Sequence, residues 1–593
     1  MRDLDIALAV LQDRGRRHLP LKRVYRLLYN PGLYLRAYGK IYRNAGALTP
    51  GTDPEDSIDG MSLKRIERLI ADLDDDSFEW KPARRIYIPK KNGKLRPLGI
   101  PSWKDKLLQE AIRIILDTYY EPQFSPNSHG FRPNRGCHTA LESIKCGFAG
   151  TTWFIEGDIR GCFDNIRHDI LLQCIAQDIH DARLVGLLSK LLQAGYLEDW
   201  QYHKTYSGTP QGGVISPLLA NIFLHELDQF VDAVLVPAFT RGTMRRSNRA
   251  YKTVQARSHR AFRRGDLEEG RYWRKVARTM TSTDSRDPDF RRLKYVRYAD
   301  DFLLGFIGPK AEAKEIREQL AVFLSGIGLE LSLDKTKITH ARTERARFLG
   351  YDIKVCQNNT RWCRQANGVT RRSVNGRIWF GVPSAVVRDA MRKYSREGKA
   401  IHKSERLMNS PFTIVSDFQT EYRGLAEYYA YAHNRSQMLP KLRITMTRSL
   451  GKTLAAKLGI SSAEVFRRYM ATKIVQGQPR RVLSITVKRE GKPDLETYWG
   501  GISLARRDRA IVRDVAPRIY SLRTELVERL LADTCEICGS QESIQVHHIR
   551  ALKDINKPGK RAKAEWEIKM IARRRKTLIV CDACHHKIHN GQM

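Results

Sequence analysis

No run of apolar residues in this 593-residue chain approaches the roughly 20 needed to cross a bilayer, which argues against a membrane-spanning protein. The first residues, MRDLDIALAVLQDRGRR, carry acids and lack the apolar block of a signal peptide, so the chain is expected in the cytoplasm, free or associated with nucleic acid in the nucleoid. There is no fixed-period repeat and no low-complexity tract. Acidic residues are scarce beside basic ones: 65 Asp and Glu stand against 104 Lys and Arg, a formal charge of +39. A surplus of this size along most of the chain fits a polyanion, with affinity dominated by phosphate neutralisation. Cysteine is sparse too. Six of the ten are scattered, and the other four form two CxxC pairs near the C-terminus, a pattern of metal ligation rather than of disulfides in a cytosolic chain.

Length alone allows about four domains. Residues 1–80 read as a basic, helical extension interrupted by the polar stretch TPGTDPEDSIDG. IYIPKKNGKLRPLGIP (86–101) reads as a hairpin around an Asn92-Gly93 turn. PSWKDKLLQEAIRIILDTYY follows with the spacing of a core helix, and WFIEGDIRGCFDNI (153–166) starts as a strand and breaks at Gly161. GTPQGGVISPLLANIFLHELDQF is a Gly/Pro loop feeding a long apolar helix. Residues 238–294 turn Arg-rich and aliphatic-poor, as a surface insertion or a solvated helix pair would, either facing nucleic acid. Residues 375–480 are mainly helical, with Tyr422, Leu425 and Tyr429 spaced for one packed face, and a basic, helical tail is expected to about residue 530.

KYVRYADDFLLGF (294–306) sets Asp300 and Asp301 side by side in an aromatic and aliphatic run. A wet hairpin tip would tolerate them, and so would a metal. Buried without a counter-charge they would be costly. A third acid decides between these readings, because Asp158 ends the strand WFIEG and is placed to converge with a hairpin tip. Three convergent carboxylates suit two divalent ions and phosphoryl transfer.

With these residues the sequence resembles the group II intron-encoded reverse transcriptase/maturase family. IPKKNGKLRPLGIP, HGFRPNRGCHTAL, EGDIRGCFDNIRH, GTPQGGVISPLLANIFLHELD, VRYADDFLLGF, LSLDKTK and FLGYDI follow the order of that family's fingers and palm blocks. The resemblance implies that Asp158, Asp300 and Asp301 hold catalytic Mg²⁺ and that Phe163 lies against the sugar of the incoming nucleotide. It implies further that Lys90 and Arg96 hold the triphosphate, that Gln211 lies beside nucleotide and template, and that Lys335 lies near the leaving pyrophosphate. Phe348-Leu349-Gly350 resembles the primer-gripping turn.

CEICGSQESIQVHHIRALKD and IVCDACHHKIHN carry the second signal. Cys535, Cys538, Cys581 and Cys584 have the spacing of a four-thiolate zinc site, and His585 and His589 share one helix face. This segment resembles an HNH endonuclease, which implies His547, His585 and His589 as ligands of a catalytic Mg²⁺ or similar ion and His548 as the base that activates water. Where the family has its middle Asn this sequence has Lys576 and Thr577, and Thr577 is the residue able to hydrogen-bond in its place.

The expected architecture is α+β and multidomain: a right-hand polymerase with fingers and palm, a helical thumb/maturase domain and a C-terminal ββα-metal HNH domain containing zinc. The expected divisions are 1–80 (N-terminal extension), 81–360 (fingers and palm, including the 238–294 insertion), 361–480 (thumb/maturase), 481–530 (basic DNA-binding region) and 531–593 (HNH). The function implied is RNA-dependent DNA synthesis, assistance to splicing of the intron RNA, and nicking of target DNA for target-primed reverse transcription. Intron RNA, target DNA and dNTPs are the expected partners, with no membrane. The rival readings are a splicing factor without polymerase or nuclease activity and a host-employed reverse transcriptase. Oligomeric state, the intron and the organism stay open, as does an organellar origin.

Overall fold

A computed structural model describes residues 2–44, 46–89, 93, 95–199, 201–208, 212–284, 287–332, 336–358, 360–364, 368, 370–372, 374–475, 477–489, 493–509, 525–555, 563–573 and 575–592. Its centre is an antiparallel sheet in the order Lys337–His340, Trp153–Asp158, Asp301–Ile307, Arg292–Tyr298. The two middle strands are rich in Phe, Leu and Ile because helices cover them, and Phe154, Ile155, Leu303 and Leu304 are wholly buried. Trp103–Tyr120, Ser216–Phe230 and Lys310–Gly326 pack in this core, the first capped by Ser102 Oγ accepting from Asp105 N–H at 3.2 Å.

A second sheet runs Leu95–Ile100, Ala83–Pro89, Tyr196–Glu198, Gln201–His203, and its first two strands are the hairpin expected over 86–101. Residues 249–279 are a helix pair, Arg249–Arg263 and Leu267–Thr279, closed by Ser258 Oγ donating to Gly270 O at 2.9 Å. Gly270 is needed at that crossing, since a Cβ there would lie 2.7 Å from the Phe262 ring.

Downstream, Pro411–Tyr428, Arg435–Leu458 and Ser462–Tyr469 form a helical body, with Tyr422 and Tyr429 buried as the helical spacing implied. The helical tail expected after residue 480 is not what forms. Gln478–Val487 and Leu495–Trp499 are strands, in a three-stranded antiparallel sheet with Met470–Val475. Their β-branched and aromatic residues, VLSITV and LETYW, outweigh the basic flanks that suggested a helix. Helix returns at Glu525–Leu531, and residues 510–524 lie outside the described residues.

The C-terminal unit is two antiparallel strands, Ile544–His548 and Thr577–Cys581, followed by the helix Asp582–His589. It shares one continuous core with the N-terminal helices: Leu33, Ile58, Met61, Val546 and Ile579 are all wholly buried in it. None of the helices among the described residues is long and apolar enough to cross a membrane.

Candidate active site and metal centres

Asp158 is the last residue of its strand and stands directly opposite Asp301 in the antiparallel register, so both side chains leave the same face of the central sheet. Asp300 immediately precedes Asp301, in the turn that joins it to Tyr298, where Ala299 takes a left-handed φ of 56°. That turn is tied down from behind. Arg297 Nη1 donates to Ala299 O at 2.8 Å and to Asn221 Oδ1 at 3.2 Å, while Nε and Nη2 grip the two oxygens of Asp228 at 2.7 and 2.6 Å. Asn221 and Asp228 lie two turns apart on the helix Ser216–Phe230, and Tyr295 Oη adds a bond to Asp228 at 2.9 Å. Gly130 closes the other side, because a Cβ there would come within 2.3 Å of Ala299 N.

The buried Cys162 thiol registers the carboxylates. Burial, followed by the charge of Asp300 and lesser contributions including Asp158, pushes it up to about 12. Among the described residues, two groups of three or more ligand-type side chains draw their ligand atoms within 4.8 Å of one another, and the carboxylates of Asp158, Asp300 and Asp301 are not one of them.

Phe163 sits half-buried on the short helix Cys162–Asn165, its ring set edge-to-face against Phe131 at 6.3 Å. Phe131, 55% exposed and at a φ of 57°, is a neighbour that the sequence reading passed over, although HGFRP carries it. Arg96 is exposed on its strand, opposite Ile88. Lys90, Gln211 and Lys335 lie outside the described residues. Leu349 and Gly350 form a tight turn, φ 46° and 70°, whose carbonyls accept from Tyr428 Oη at 2.6 Å and Tyr429 Oη at 3.0 Å.

The four cysteines gather in the C-terminal unit, with Cys538 Sγ 3.6 Å from Cys581 Sγ. Thiolates about 2.3 Å from a tetrahedral zinc lie about 3.8 Å apart, so the cluster fits that ion. Burial works to raise the Cys535 thiol, but N–H groups led by Cys538 outweigh it and bring it down to about 7.

The second group is His547, His585 and His589 together with Asp59. His585 Nε2 lies 3.2 Å from both His547 Nδ1 and His589 Nε2. Asp59 Oδ2 lies 3.2 Å from His585 Nε2 and 2.8 Å from His589 Nε2, and its Oδ1 accepts from His548 N–H at 2.7 Å. Although burial opposes it, hydrogen bonding with His585 and the charges of His547 and His585 hold the Asp59 carboxyl well below its usual range. Burial pushes both His547 and His548 down to about 4. His548 itself stands outside the group, 8% exposed, with Nε2 at 2.7 Å from Tyr38 Oη. Thr577 pairs with His548 in register, and its hydroxyl accepts from Arg529 Nη1 at 3.3 Å. Nothing near residue 59 announced Asp59 in the sequence, since an Asp before a Gly reads as a turn.

Residues 88–261 and 267–353 match the family described as reverse transcriptase (RNA-dependent DNA polymerase). Residues 387–495 match type II intron maturase, and 535–585 match the AI2M/AI1M-like HNH endonuclease. Over 594 aligned residues the chain is 39% identical to the group II intron-encoded protein LtrA of Lactococcus lactis, covering 96% of each. It is 33% identical to an uncharacterized 91 kDa protein in the cob intron of Schizosaccharomyces pombe (95% of this chain, 69% of that one). It is 30% identical to the putative COX1/OXI3 intron 1 protein of Saccharomyces cerevisiae, with the same coverage. With reverse transcriptase, maturase and HNH matches in one chain and this identity along nearly its full length, the protein belongs to the group II intron-encoded reverse transcriptase/maturase family that carries an HNH endonuclease domain.

Proposed function

We propose that the chain copies RNA into DNA from a primer that it creates by nicking target DNA, and that it assists splicing of the intron RNA it copies. The observation that carries the polymerase role is the cross-strand placement of Asp158 against Asp301, with Asp300 in the adjoining turn. These hard oxygen donors would hold Mg²⁺, which when bound supplies charge for the attacking and leaving oxygens of phosphoryl transfer.

The remaining roles belong to the protein. Phe163 bars a 2′-hydroxyl at the sugar of the incoming dNTP. Lys90 and Arg96 hold the triphosphate by charge-assisted hydrogen bonds. Gln211 lies beside nucleotide and template, and Lys335 near the departing pyrophosphate. The Phe348-Leu349-Gly350 turn steadies the primer, with Tyr428 and Tyr429 fixing its carbonyls. Fingers and palm occupy 81–360, the thumb and RNA-gripping body 361–480, a DNA-binding region 481–530, and the N-terminal extension 1–80. The +39 charge supports a large phosphate footprint for intron RNA and target DNA.

In the C-terminal unit, 531–593, Cys535, Cys538, Cys581 and Cys584 would hold a structural zinc, and His547, His585 and His589 the ion of the nuclease. His548 takes the proton of the attacking water. Tyr38 Oη already occupies hydrogen-bonding distance of its Nε2, so water and Tyr38 compete for that nitrogen.

Primer extension on an RNA template with Mg²⁺ and dNTPs tests the proposal. Asp300→Ala should abolish cDNA synthesis and leave RNA binding and assisted splicing in place. Wild-type synthesis by that variant would overturn the assignment.

A further inference from the structure

Asp59 does not belong to the C-terminal unit at all. It comes from the polar stretch between the helices Pro31–Ile41 and Leu63–Asp74, and it reaches a strand almost at the other end of the chain. Its position is built by its neighbours. Gly60 N–H donates to Val546 O at 3.0 Å and Val546 N–H to Met61 O at 2.9 Å, so this segment is pinned to the middle of Ile544–His548 by an antiparallel bridge. Gly60 makes the approach possible, with a φ of 73° and Gln545 Oε1 only 3.0 Å from where a Cβ would stand. Ile58 and Met61, on either side, are wholly buried in the core that Val546 shares.

We infer that Asp59 is the fourth ligand of the metal centre whose other ligands are His547, His585 and His589, so that the N-terminal segment completes the endonuclease site. The inference rests on the reading of those three histidines as a metal site. Donors about 2.1 Å from one ion lie about 3.0 Å apart when cis in an octahedron and about 3.4 Å apart in a tetrahedron. The separations here are 2.8, 3.2, 3.2 and 3.2 Å, with a further 3.6 Å from Asp59 Oδ1 to His547 Nδ1. Hydrogen bonds alone serve this arrangement poorly. His585 Nε2 faces His547 Nδ1, His589 Nε2 and Asp59 Oδ2 at once, and a ring nitrogen carries one proton at most. A single cation satisfies every one of these contacts. Three neutral imidazoles and one carboxylate offer it one negative charge, a donor set suited to a divalent first-row ion.

Completion by a distant segment has a thermodynamic consequence. The ion would draw residues 58–61 onto the strand pair, and docking of that segment would raise the affinity for the ion by the same factor. Nicking competence would then report whether the N-terminal extension is seated.

The rival is a purely structural Asp59 that only accepts the His548 N–H. Asp59→Asn separates the two, because it keeps an acceptor for that N–H and removes the anionic ligand. Mn²⁺ titration of the full chain, carrying its zinc, with electron spin echo detection of coordinated imidazole nitrogen isolates this centre from the proposed polymerase site, whose ligands Asp158, Asp300 and Asp301 offer only oxygen. Asp59→Asn should weaken the imidazole-bound Mn²⁺ at least tenfold. In hydrogen exchange, Mn²⁺ should protect 58–61 and 544–548 together in the wild type, and 58–61 should lose that protection in Asp59→Asn. Imidazole-bound Mn²⁺ of unchanged affinity in Asp59→Asn would overturn the fourth ligand and leave the three-histidine site standing. No imidazole-bound Mn²⁺ in the wild type would overturn both.

Discussion

Arg297 and Asp228 face each other as a doubly hydrogen-bonded ion pair from which solvent is entirely excluded, Nε to Oδ1 at 2.7 Å and Nη2 to Oδ2 at 2.6 Å. Burying both charges is expensive, and replacing such pairs by apolar residues is often neutral for stability. What an apolar pair could not do is hold the Ala299 carbonyl, which Arg297 Nη1 reaches at 2.8 Å. The pair therefore acts through Arg297 on the turn that carries Asp300, and in the proposed polymerase site Arg297 would be a positioning residue.

Arg297→Lys keeps a charge but lacks the planar fork that serves Asp228 and Ala299 together. It should lower kcat for primer extension at least tenfold with a smaller change in the KM for dNTP, and the melting temperature should fall. Asp228→Asn should do the same. If both variants lose stability while kcat at a permissive temperature stays at the wild-type value, the positioning role fails.

Behind the same turn, His129 N–H donates to Arg297 O at 2.9 Å, and its ring is buried between Thr139 and Ser143. Burial, then the charges of Arg135, Arg132 and Arg297, push it down to about 3. An unfolded His takes up a proton near pH 6.5, so between that pH and about 3 the unfolded state binds more protons than the folded one. Its contribution to stability is full above pH 6.5 and is lost as pH falls toward 3. In denaturant titrations from pH 7 to 5, His129→Asn should be less stable at pH 7 and show a shallower loss on acidification, by up to about 1.4 kcal/mol per pH unit. Parallel slopes would show that His129 charges freely in the folded state.

What was legible in the sequence was what local pattern carries. The 86–101 hairpin follows from strand periodicity around Asn-Gly, and the Asp300–Asp301 tip from two apolar strands meeting at a pair of acids. The four cysteines are paired by spacing, and their two pairs meet because Ile544 and Cys581 face each other across two strands. Basic residues blur the alternation of Gln478–Val487 and Leu495–Trp499, so local pattern predicts helix where strands form. Asp59 and Tyr38 were invisible for a different reason. Their partners are His548 and its neighbours, at the far end of the chain, and no local period encodes a contact that only tertiary docking creates. Phe131 is equally hidden, since its contact with the Phe163 ring joins two motifs that are adjacent in order but separated along the chain.

Tyr428 and Tyr429 hold successive carbonyls of the Leu349-Gly350 turn. Replacing both by Phe leaves two acceptors without these bonds, at about 1 kcal/mol each, without removing the rings from the core. The turn should loosen, raising the KM for primer-template several-fold while the KM for dNTP holds. Equal changes in both constants would place the tyrosines in general packing instead.

The C-terminal unit allows the sharpest separation of structure from chemistry. Cys581 ends one strand, lies 3.6 Å from Cys538 at the sulfur, and begins the helix that carries His585 and His589. A four-cysteine zinc contributes directly to folding, so Cys581→Ser should release zinc, unfold this unit and abolish nicking. His548→Ala removes a ring that bonds Tyr38 Oη, stranding a buried hydroxyl at a cost of about 1–3 kcal/mol, yet it touches none of the four sulfurs. It should keep its zinc, its fold and its DNA affinity, lose strand-specific nicking, and still extend a pre-annealed primer. Tyr38→Phe completes the argument from the opposite direction: it frees His548 Nε2 for water, so nicking should persist or rise while zinc content and primer extension stay unchanged. Zinc content, DNA binding and nicking measured on all three variants check the division, and full nicking by His548→Ala would move the base to another residue.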